Sequence, residues 1–402
     1  MKETVLRNAR LVLAGEVVSG SLRIVDGRIA DFDSSVSMLP AALDLEGDYL
    51  MPGLIELHTD NLERHLMPRP KAYWPALPAL LGHDAEVASA GITTVYDALG
   101  VGDLDAEAMR GQPLAPILQA LEAAAKGGLL RIEHRLHIRA ELPAPNTAAL
   151  FAPLEDHPLV GLISLMDHTP GQRQWENEEH ARVYFCGKKG WSREKFEHAL
   201  HDWQDLQDQN SVPQRKYFVE HANRRGIPLA SHDDTVIAHV DAAHAEGVVI
   251  SEFPTRAEAA RAARGRGMAI VMGAPNVVRG GSHSGNVSAV EMAREGLLDT
   301  LSSDYIPASL MLAAFRLTSE AGFTLPAAIA TVSRNPARAL GLHDRGEIAI
   351  GLRADLAQVR VADERGIAHG EKPGIAHGAQ PGIAHRAQPV VRAVWREGTR
   401  VT

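Results

Sequence analysis

Between residues 50 and 340 the sequence alternates between short apolar runs, typical of strands, and longer runs typical of helices. Eight strands are predicted, at 54–57, 91–96, 135–139, 159–166, 228–231, 247–251, 268–272 and 300–303. Helices are predicted between some of them, as at 114–126, 257–264 and 287–295. Eight strands with crossover helices over roughly 290 residues predict an α/β fold of the (β/α)8 barrel type, for which about 250 residues are typical.

Short strand-like runs with glycine turns precede and follow this region. We predict that residues 1–50 and 341–402 together form a small composite β-domain, which flanks a catalytic barrel of residues 51–340. Within the second segment, residues 366–389 repeat an octapeptide three times, with His369, His377 and His385 eight residues apart. The Gly and Pro of every copy favour a solvated loop over a metal-binding tract.

Charge and composition exclude several classes of function. A net charge of −9 argues against nucleic-acid binding, which needs a basic face, although a local basic pocket for an anionic substrate remains compatible with it. The single cysteine, Cys186, allows no internal disulfide, and neither a signal peptide nor a membrane span is recognisable. We therefore predict a cytoplasmic protein, with its oligomeric state open, a homo-oligomer included.

The end of the first predicted strand carries the first candidate site residues. The apolar run 54–57 leads into His58-Thr59-Asp60, and residues i and i+2 of an extended chain point to the same side. An imidazole and a carboxylate are thus delivered together, as a divalent metal site requires. A polar strand end with a chance His and Asp is the alternative.

Ionisable and polar residues also follow the other predicted strands, where a parallel barrel carries its active site. They are Glu141, His168, Arg173, His232, Asp233, Glu252, Asn276, Arg279, His283 and Asp304. Burying so many ionisable groups without binding partners would be energetically unfavourable. Their presence is explained if they bind a metal and a charged substrate. By contrast, Asp97 is predicted to cap a helix, and His134 and His137 are predicted to be core histidines or to orient a ligand.

The His-x-Asp of the first strand, His232 on the fifth and Asp304 on the eighth resemble the amidohydrolase superfamily. Two departures stand out: Asp60 replaces the usual second histidine, and Glu252 replaces the histidine of the sixth strand. No lysine falls at the end of the fourth strand, where a carboxylated lysine is common in the superfamily, so Glu141 is the candidate bridging carboxylate. The resemblance implies a distorted barrel of the amidohydrolase type.

Longer motifs are similar to one family of phosphonate catabolism, the α-D-ribose 1-methylphosphonate 5-triphosphate diphosphatases of the carbon–phosphorus lyase pathway. They lie at 58–63, 68–70, 134–137, 166–174, 230–234, 252–255, 272–286 and 301–310. The resemblance implies a phosphoanhydride hydrolase that releases pyrophosphate from the 5-triphosphate of a small ribose phosphonate. It also implies one or two divalent ions, for which Zn, Mn, Fe and Mg all remain open.

The roles predicted on this basis fall into three groups. Metal ligands are His58, Asp60, Glu141, His232, Glu252 and Asp304; substrate-binding residues are Arg69, Arg173, Asn276, Arg279 and Asp233. Asp304 is the predicted general base, and His283 or His168 protonates the leaving pyrophosphate. Two alternatives stay open: a C–N amidohydrolase on the same scaffold, and a non-catalytic subunit of a phosphonate-processing complex. The arginines favour the diphosphatase, because a neutral amide gives them no purpose.

Overall fold

The structure is a computed structural model that describes residues 2–69, 72–104, 114–176, 178–188, 190–282, 285–363 and 387–402. Its strands are β1 Glu3–Val12, β2 Val17–Val25, β3 Arg28–Asp33, β4 Leu43–Asp44, β5 Tyr49–Pro52, β6 Leu54–Thr59, β7 Ile92–Val101, β8 Glu133–Glu141, β9 Val160–Met166, β10 Leu229–His232, β11 Ile250–Glu252, β12 Ala269–Gly273, β13 Thr300–Ser302, β14 Leu356–Asp363, β15 Ala387–Arg396 and β16 Thr399–Arg400.

Helices lie between most of the strands from β6 onward. They are α1 Asn61–Leu66, α2 Ala76–Ser89, α3 Leu114–Lys126, α4 Thr147–Phe151, α5 Glu178–Val183, α6 Arg193–Arg225, α7 Ile237–Ala245, α8 Ala257–Gly265, α9 Ala274–Arg279, α10 Ala289–Arg294, α11 Ser309–Glu320, α12 Leu325–Ala330 and α13 Arg334–Ala339. None of the helices among the described residues is long and apolar enough to cross a membrane.

The strands β6 to β13 form one sheet in which each strand neighbours the next along the chain. All six residues of β6 and all ten of β7 are buried, as expected for parallel strands whose two faces are covered. A parallel bridge between Thr59 and Asp304 joins the first strand to the residues that follow the last. Strand order and closure confirm the predicted (β/α)8 barrel.

The remaining strands form a second sheet in the order β16-β15-β14-β5-β1-β2-β3, with β4 paired to β1. Strand β5 pairs with β1 on one side and with β14 on the other, so both ends of the chain contribute to the sheet. Its apolar core includes Leu6, Leu22, Leu356 and Trp395. The domain division at residues 50 and 341 stays a prediction.

The octapeptide repeat falls mostly outside the described residues. Of 366–389, only Ala387 to Pro389 are described, and they begin β15. The chain divides into two compact units: Met1–Asp97, Ala120–His134 and Gly273–Thr402 form the first, and Ala98–Gln119 with Arg135–Met272 form the second.

A buried ion-pair group links the start of β8 to the segment before β14. The Glu133 Oε2 atom accepts hydrogen bonds from Arg345 Nη1 and Arg353 Nη1, both at 2.7 Å. Arg345 Nη1 also donates to Thr94 Oγ1 of β7 at 2.9 Å. Burial alone would raise the pKa of Glu133, but the two guanidinium groups lower it from 4.5 to about 2.

We expect Glu133→Gln to destabilise the protein by about 3 kcal/mol near pH 7, because it leaves two buried arginines without their shared carboxylate. A carboxylate with a lowered folded-state pKa stabilises above its unfolded pKa and loses that contribution as pH falls. The difference in thermal midpoint between variant and wild type should therefore shrink between pH 4.5 and 2.

Thermal unfolding followed by circular dichroism between pH 7 and pH 3 measures this difference. The exposed pair Glu3–Arg23 provides the control, since Glu3→Gln should change the midpoint little at any pH. A deficit in Glu133→Gln that stays constant over the whole pH range would contradict the assignment.

Candidate metal-binding site

In the second unit, the carboxyl ends of β9 to β11 bring four predicted site residues together. His232 at the end of β10 pairs its Nδ1 with Glu252 Oε2 at 2.7 Å, and its Nε2 lies 3.3 Å from Asp233 Oδ2. The ring of His168 lies 5.7 Å from that of His232, centroid to centroid. One ligand atom from each of His168, His232 and Asp233 lies within 4.8 Å of the others. This spacing and donor set suit a divalent ion.

The tautomer of His232 follows from its hydrogen-bond partner. A carboxylate only accepts, so His232 Nδ1 donates to Glu252 and Nε2 is the ring nitrogen that can offer a lone pair to a ligand. Ser164 Oγ of β9 donates to the same Oε2 atom at 2.8 Å, and His137 Nε2 pairs with Ser164 Oγ at 2.6 Å. Glu252 is completely buried, and through Oε2 it fixes the His232 ring as a ligand-orienting carboxylate does.

Glu141 at the end of β8 is tied to His168. The backbone N–H of His168 donates to Glu141 Oε1 at 2.9 Å, and its ring Nδ1 donates to Oε2 at 2.5 Å. Burial alone would lower the pKa of His168, but the Glu141 carboxylate raises it above its ordinary value. The pair therefore holds both side chains at the end of the sheet, in the places that the sequence predicts.

Three residues here have left-handed backbones, which only a minority of non-glycine residues adopt. They are Asp233, with φ 54°, Arg173, with φ 49°, and Phe253, with φ 53°. The buried Arg173 Nη1 donates to the backbone oxygen of His232 at 2.6 Å and to Asp234 Oδ1 at 2.9 Å. Arg173 thus supports the segment after β10, and its predicted contact with substrate stays a prediction.

In the first unit, a buried carboxylate organises the ends of β6 and β13. Glu56 Oε1 accepts from the backbone N–H of His58 at 2.7 Å and from Ser302 Oγ at 2.8 Å, and Oε2 accepts from the N–H of Ser303 at 2.6 Å. Burial raises the pKa of Glu56, while hydrogen bonds from Ser303 and His58 oppose that shift. Glu56 thereby binds both strand ends to each other.

Asp60 and Asp304 lie next to this group. The N–H of Asp60 donates to the backbone oxygen of Asp304 at 2.8 Å, and the N–H of Asp304 donates to His58 O at 3.2 Å. His58 Nε2 lies 3.9 Å from Asp60 Oδ1. Asp304 has a φ of 56°, so its side chain leaves β13 from a left-handed, strained position of the kind that clusters at functional sites. The structure brings His58, Asp60 and Asp304 together.

The remaining predicted site residues are Asn276, Arg279, Arg69 and His283. Asn276 of α9 uses its amide to bind Val287 O at 3.0 Å and the N–H of Ala289 at 2.9 Å, which closes the glycine-rich segment between α9 and α10. Arg279 and Arg69 are exposed. His283 lies outside the described residues. The substrate-binding roles of these residues stay predictions.

Sequence reasoning missed some residues that support the site. Glu56 and Ser164 lie inside apolar strands, and a lone polar residue in such a run was the only available signal. The prediction that Asp97 caps a helix is wrong: Asp97 is buried within β7, where both carboxylate oxygens bind histidines. His134 and His137 are buried, as predicted.

Known proteins resemble this chain in sequence and in fold. A model of the amidohydrolase family matches residues 188–402. The α-D-ribose 1-methylphosphonate 5-triphosphate diphosphatase of Escherichia coli (strain K12) is 50% identical over 354 residues, which cover 88% of this chain and 94% of that protein.

Two solved structures share the fold at low identity. N-isopropylammelide isopropylaminohydrolase from Burkholderia multivorans superposes with a TM-score of 0.59 at 19% identity, covering 100% of this chain and 98% of that one. N-acetyl-D-glucosamine-6-phosphate deacetylase from Mycobacterium smegmatis does so with 0.61 at 14% identity, covering 100% of both chains. The chain belongs to the amidohydrolase family and, within it, to the family of the E. coli α-D-ribose 1-methylphosphonate 5-triphosphate diphosphatase.

Proposed function

We propose that this chain hydrolyses α-D-ribose 1-methylphosphonate 5-triphosphate to α-D-ribose 1-methylphosphonate 5-phosphate and pyrophosphate, in phosphonate catabolism. The observation that carries the proposal is the 50% identity over 94% of the E. coli diphosphatase. The clustered histidines and carboxylates at the strand ends support a metal-dependent hydrolase. We also propose a cytoplasmic location, because a single cysteine allows no internal disulfide and so fits a reducing compartment.

The proposed metal ligands are His58, Asp60, Glu141, His232, Glu252 and Asp304. When bound by these residues, one or two divalent ions would lower the pKa of a water molecule and would neutralise charge on the phosphate oxygens. The orientation of His232 supports its role, because Nδ1 donates to Glu252 and Nε2 is therefore the nitrogen that would bind an ion. Mixed nitrogen and oxygen donors suit Zn, Mn and Fe as well as Mg.

In the proposed reaction, water attacks the α-phosphorus and the bond from that phosphorus to the α,β-bridging oxygen breaks. The Asp304 carboxylate takes the proton of the attacking water. His168 or His283 gives a proton to the bridging oxygen as pyrophosphate leaves. The water oxygen remains on the 5-phosphate, so atoms and charge balance.

Arginines hold the triphosphate in this proposal. The exposed Arg69 and Arg279 present planar guanidinium groups, which bind phosphate oxygens in pairs. Arg173 and Asn276 support the segments around them, and Asp233 contacts ribose hydroxyls. A C–N amidohydrolase remains the second candidate because the fold neighbours include hydrolases of C–N bonds, but the arginines have no purpose there. A non-catalytic subunit is the third candidate.

Phosphorus NMR of the metal-loaded protein with the ribose phosphonate triphosphate tests the proposal. We expect one pyrophosphate for each substrate consumed, with neither orthophosphate nor a 5-diphosphate as an intermediate. Removing metal with a chelator should abolish turnover, and adding back Mn²⁺ or Zn²⁺ should restore it. Stepwise release of orthophosphate would overturn the diphosphatase assignment, and a protein that binds no divalent ion would favour the non-catalytic subunit.

A further inference from the structure

A buried polar network, here called the Asp97 network, joins α1, α2, β7 and β8 in the first unit. Asp97 Oδ1 accepts from His83 Nε2 at 2.7 Å, and Asp97 Oδ2 accepts from His134 Nδ1 at 2.8 Å. His134 Nε2 lies 3.4 Å from Asp84 Oδ1, and Asn61 Nδ2 lies 3.0 Å from His83 Nδ1. All five side chains are buried, so the network is sealed from water.

The hydrogen bonds assign the protons of the network. An amide N–H donates, so Asn61 makes His83 Nδ1 an acceptor and leaves its Nε2–H to donate to Asp97. His134 faces a carboxylate on each ring nitrogen. Burial alone would lower its pKa, but Asp97 and Asp84 raise it to about 9, so the ring is cationic at pH 7.

This proton arrangement fits a satisfied hydrogen-bond network better than a metal centre. Three ligand atoms of His83, Asp97 and His134 lie within 4.8 Å of one another, as a metal would need. A metal would have to displace the protons from His83 Nε2 and His134 Nδ1, and the second of these rings is cationic and paired with Asp84 as well. Buried polar groups whose hydrogen bonds are already made are unfavourable metal ligands, because the ion would have to replace those hydrogen bonds.

The network reaches Asp60 from both sides along the chain. The preceding residue, Thr59, is paired with Asp97 in the register of β6 and β7. The following residue, Asn61, donates through its amide to His83 and to Glu86 Oε2 at 2.9 Å. One neighbour of Asp60 is therefore paired with Asp97 in the strand register, and the other is hydrogen-bonded through its side chain to His83, so members of the network border Asp60 on both sides along the chain.

We propose that Asp97, His83 and Asn61 are positioning residues that hold the Asp60 carboxylate in its metal-binding orientation. The inference rests on the proposed function, in which Asp60 is a metal ligand. Partners that orient a metal ligand commonly change metal affinity about 10- to 100-fold when they are substituted. The network thus acts on the metal through Asp60, without contacting substrate.

Asp97→Asn is the main test. An amide in place of the carboxylate presents one NH₂ group to a histidine that also donates, and so breaks one of the two bonds. We expect the apparent Kd for Mn²⁺, measured by competition with a fluorescent chelator, to rise about 10- to 100-fold. Asp48→Asn is the matched control: Asp48 is a buried carboxylate directly before β5, bound by Gln358 and Arg360, and its variant should bind Mn²⁺ as wild type does.

Asn61→Ala keeps the inference testable if Asp97→Asn fails to fold, because alanine is a good helix former at this first position of α1. It should also raise the Kd for Mn²⁺ about 10-fold. Wild-type affinity in a folded Asp97→Asn or Asn61→Ala protein would overturn the inference. The inference would also be overturned if the wild-type protein bound a metal ion that Asp97→Asn lost and Asp60→Ala kept.

Asp60→Ala separates this inference from the proposed function. If Asp60→Ala leaves the Kd for Mn²⁺ unchanged, Asp60 is not a ligand and the proposed metal set fails. If Asp60→Ala weakens binding while both network variants bind as wild type does, the ligand assignment stands and the positioning inference alone fails.

Discussion

Asp304→Asn should lower kcat by about 10³-fold while the metal stays bound, because an amide does not accept the proton of the attacking water. Asparagine has the same shape, and it is among the residues that tolerate the left-handed backbone, here with a φ of 56°. The hydrogen bonds that its backbone makes to His58 and Asp60 should persist. Steady-state kinetics and metal analysis of the same preparation measure the two effects.

The second sheet, which contains β1 to β5 and β14 to β16, provides a matched control for this variant. Asp26 is also a left-handed aspartate, with a φ of 47°, and it lies in the turn between β2 and β3. Asp26→Asn should keep wild-type kcat and metal content. A retained kcat above about a tenth of wild type in Asp304→Asn would remove Asp304 from the role of general base. A loss of kcat that merely follows a loss of metal would assign Asp304 as a ligand alone.

His232→Ala should abolish both metal binding and turnover. The variant removes the imidazole and, with it, one hydrogen-bond donor of the buried Glu252, which keeps the bond from Ser164 Oγ. We expect the apparent Kd for Mn²⁺ to rise at least about 100-fold, more than the change expected for an orienting residue. Equilibrium dialysis with metal analysis and phosphorus NMR of the reaction measure the two losses.

His221→Ala is the control for His232→Ala. It tests whether the loss of any buried histidine, and not of a metal ligand, explains the result. His221 is buried on α6, where its ring packs against Phe151 and Tyr217. His221→Ala should lower the thermal midpoint but keep metal and activity. If His232→Ala retained a full complement of metal at micromolar concentration, His232 would lose its place among the ligands.

Periodicity predicted the barrel well because each strand is an apolar run between turn residues. The predicted runs 159–166 and 268–272 differ from β9 and β12 by one residue at their ends. The 33-residue helix α6 was not predicted, because it is polar on most sides and contains Pro213. Its stability comes from packing of Phe196, Trp203 and Phe218, which no local pattern reveals.

The site was predictable to the extent that strand ends are recognisable. His58 directly follows an apolar run and His232 directly follows the predicted strand 228–231, so their positions could be inferred from the chain itself. The partners of Asp97 could not: His83 lies 14 residues before it and His134 lies 37 residues after it, and only the folded barrel brings them together. Whether a carboxylate binds a metal or orients a histidine likewise depends on partners such as Ser164, 88 residues away from Glu252.

The contact between Thr59 and Asp304 has a consequence for biosynthesis. The backbone of Asp60 is held by an oxygen of Asp304, a residue made 244 positions later, and Thr59 Oγ1 donates to the same oxygen at 2.9 Å. In a chain that is still growing on the ribosome, the hydrogen bond from the Asp60 N–H to Asp304 O therefore cannot form until Asp304 has left the exit tunnel. At about 5–20 residues per second this delay lasts roughly ten seconds or more, during which the hydrogen bonds to Asp304 O are missing.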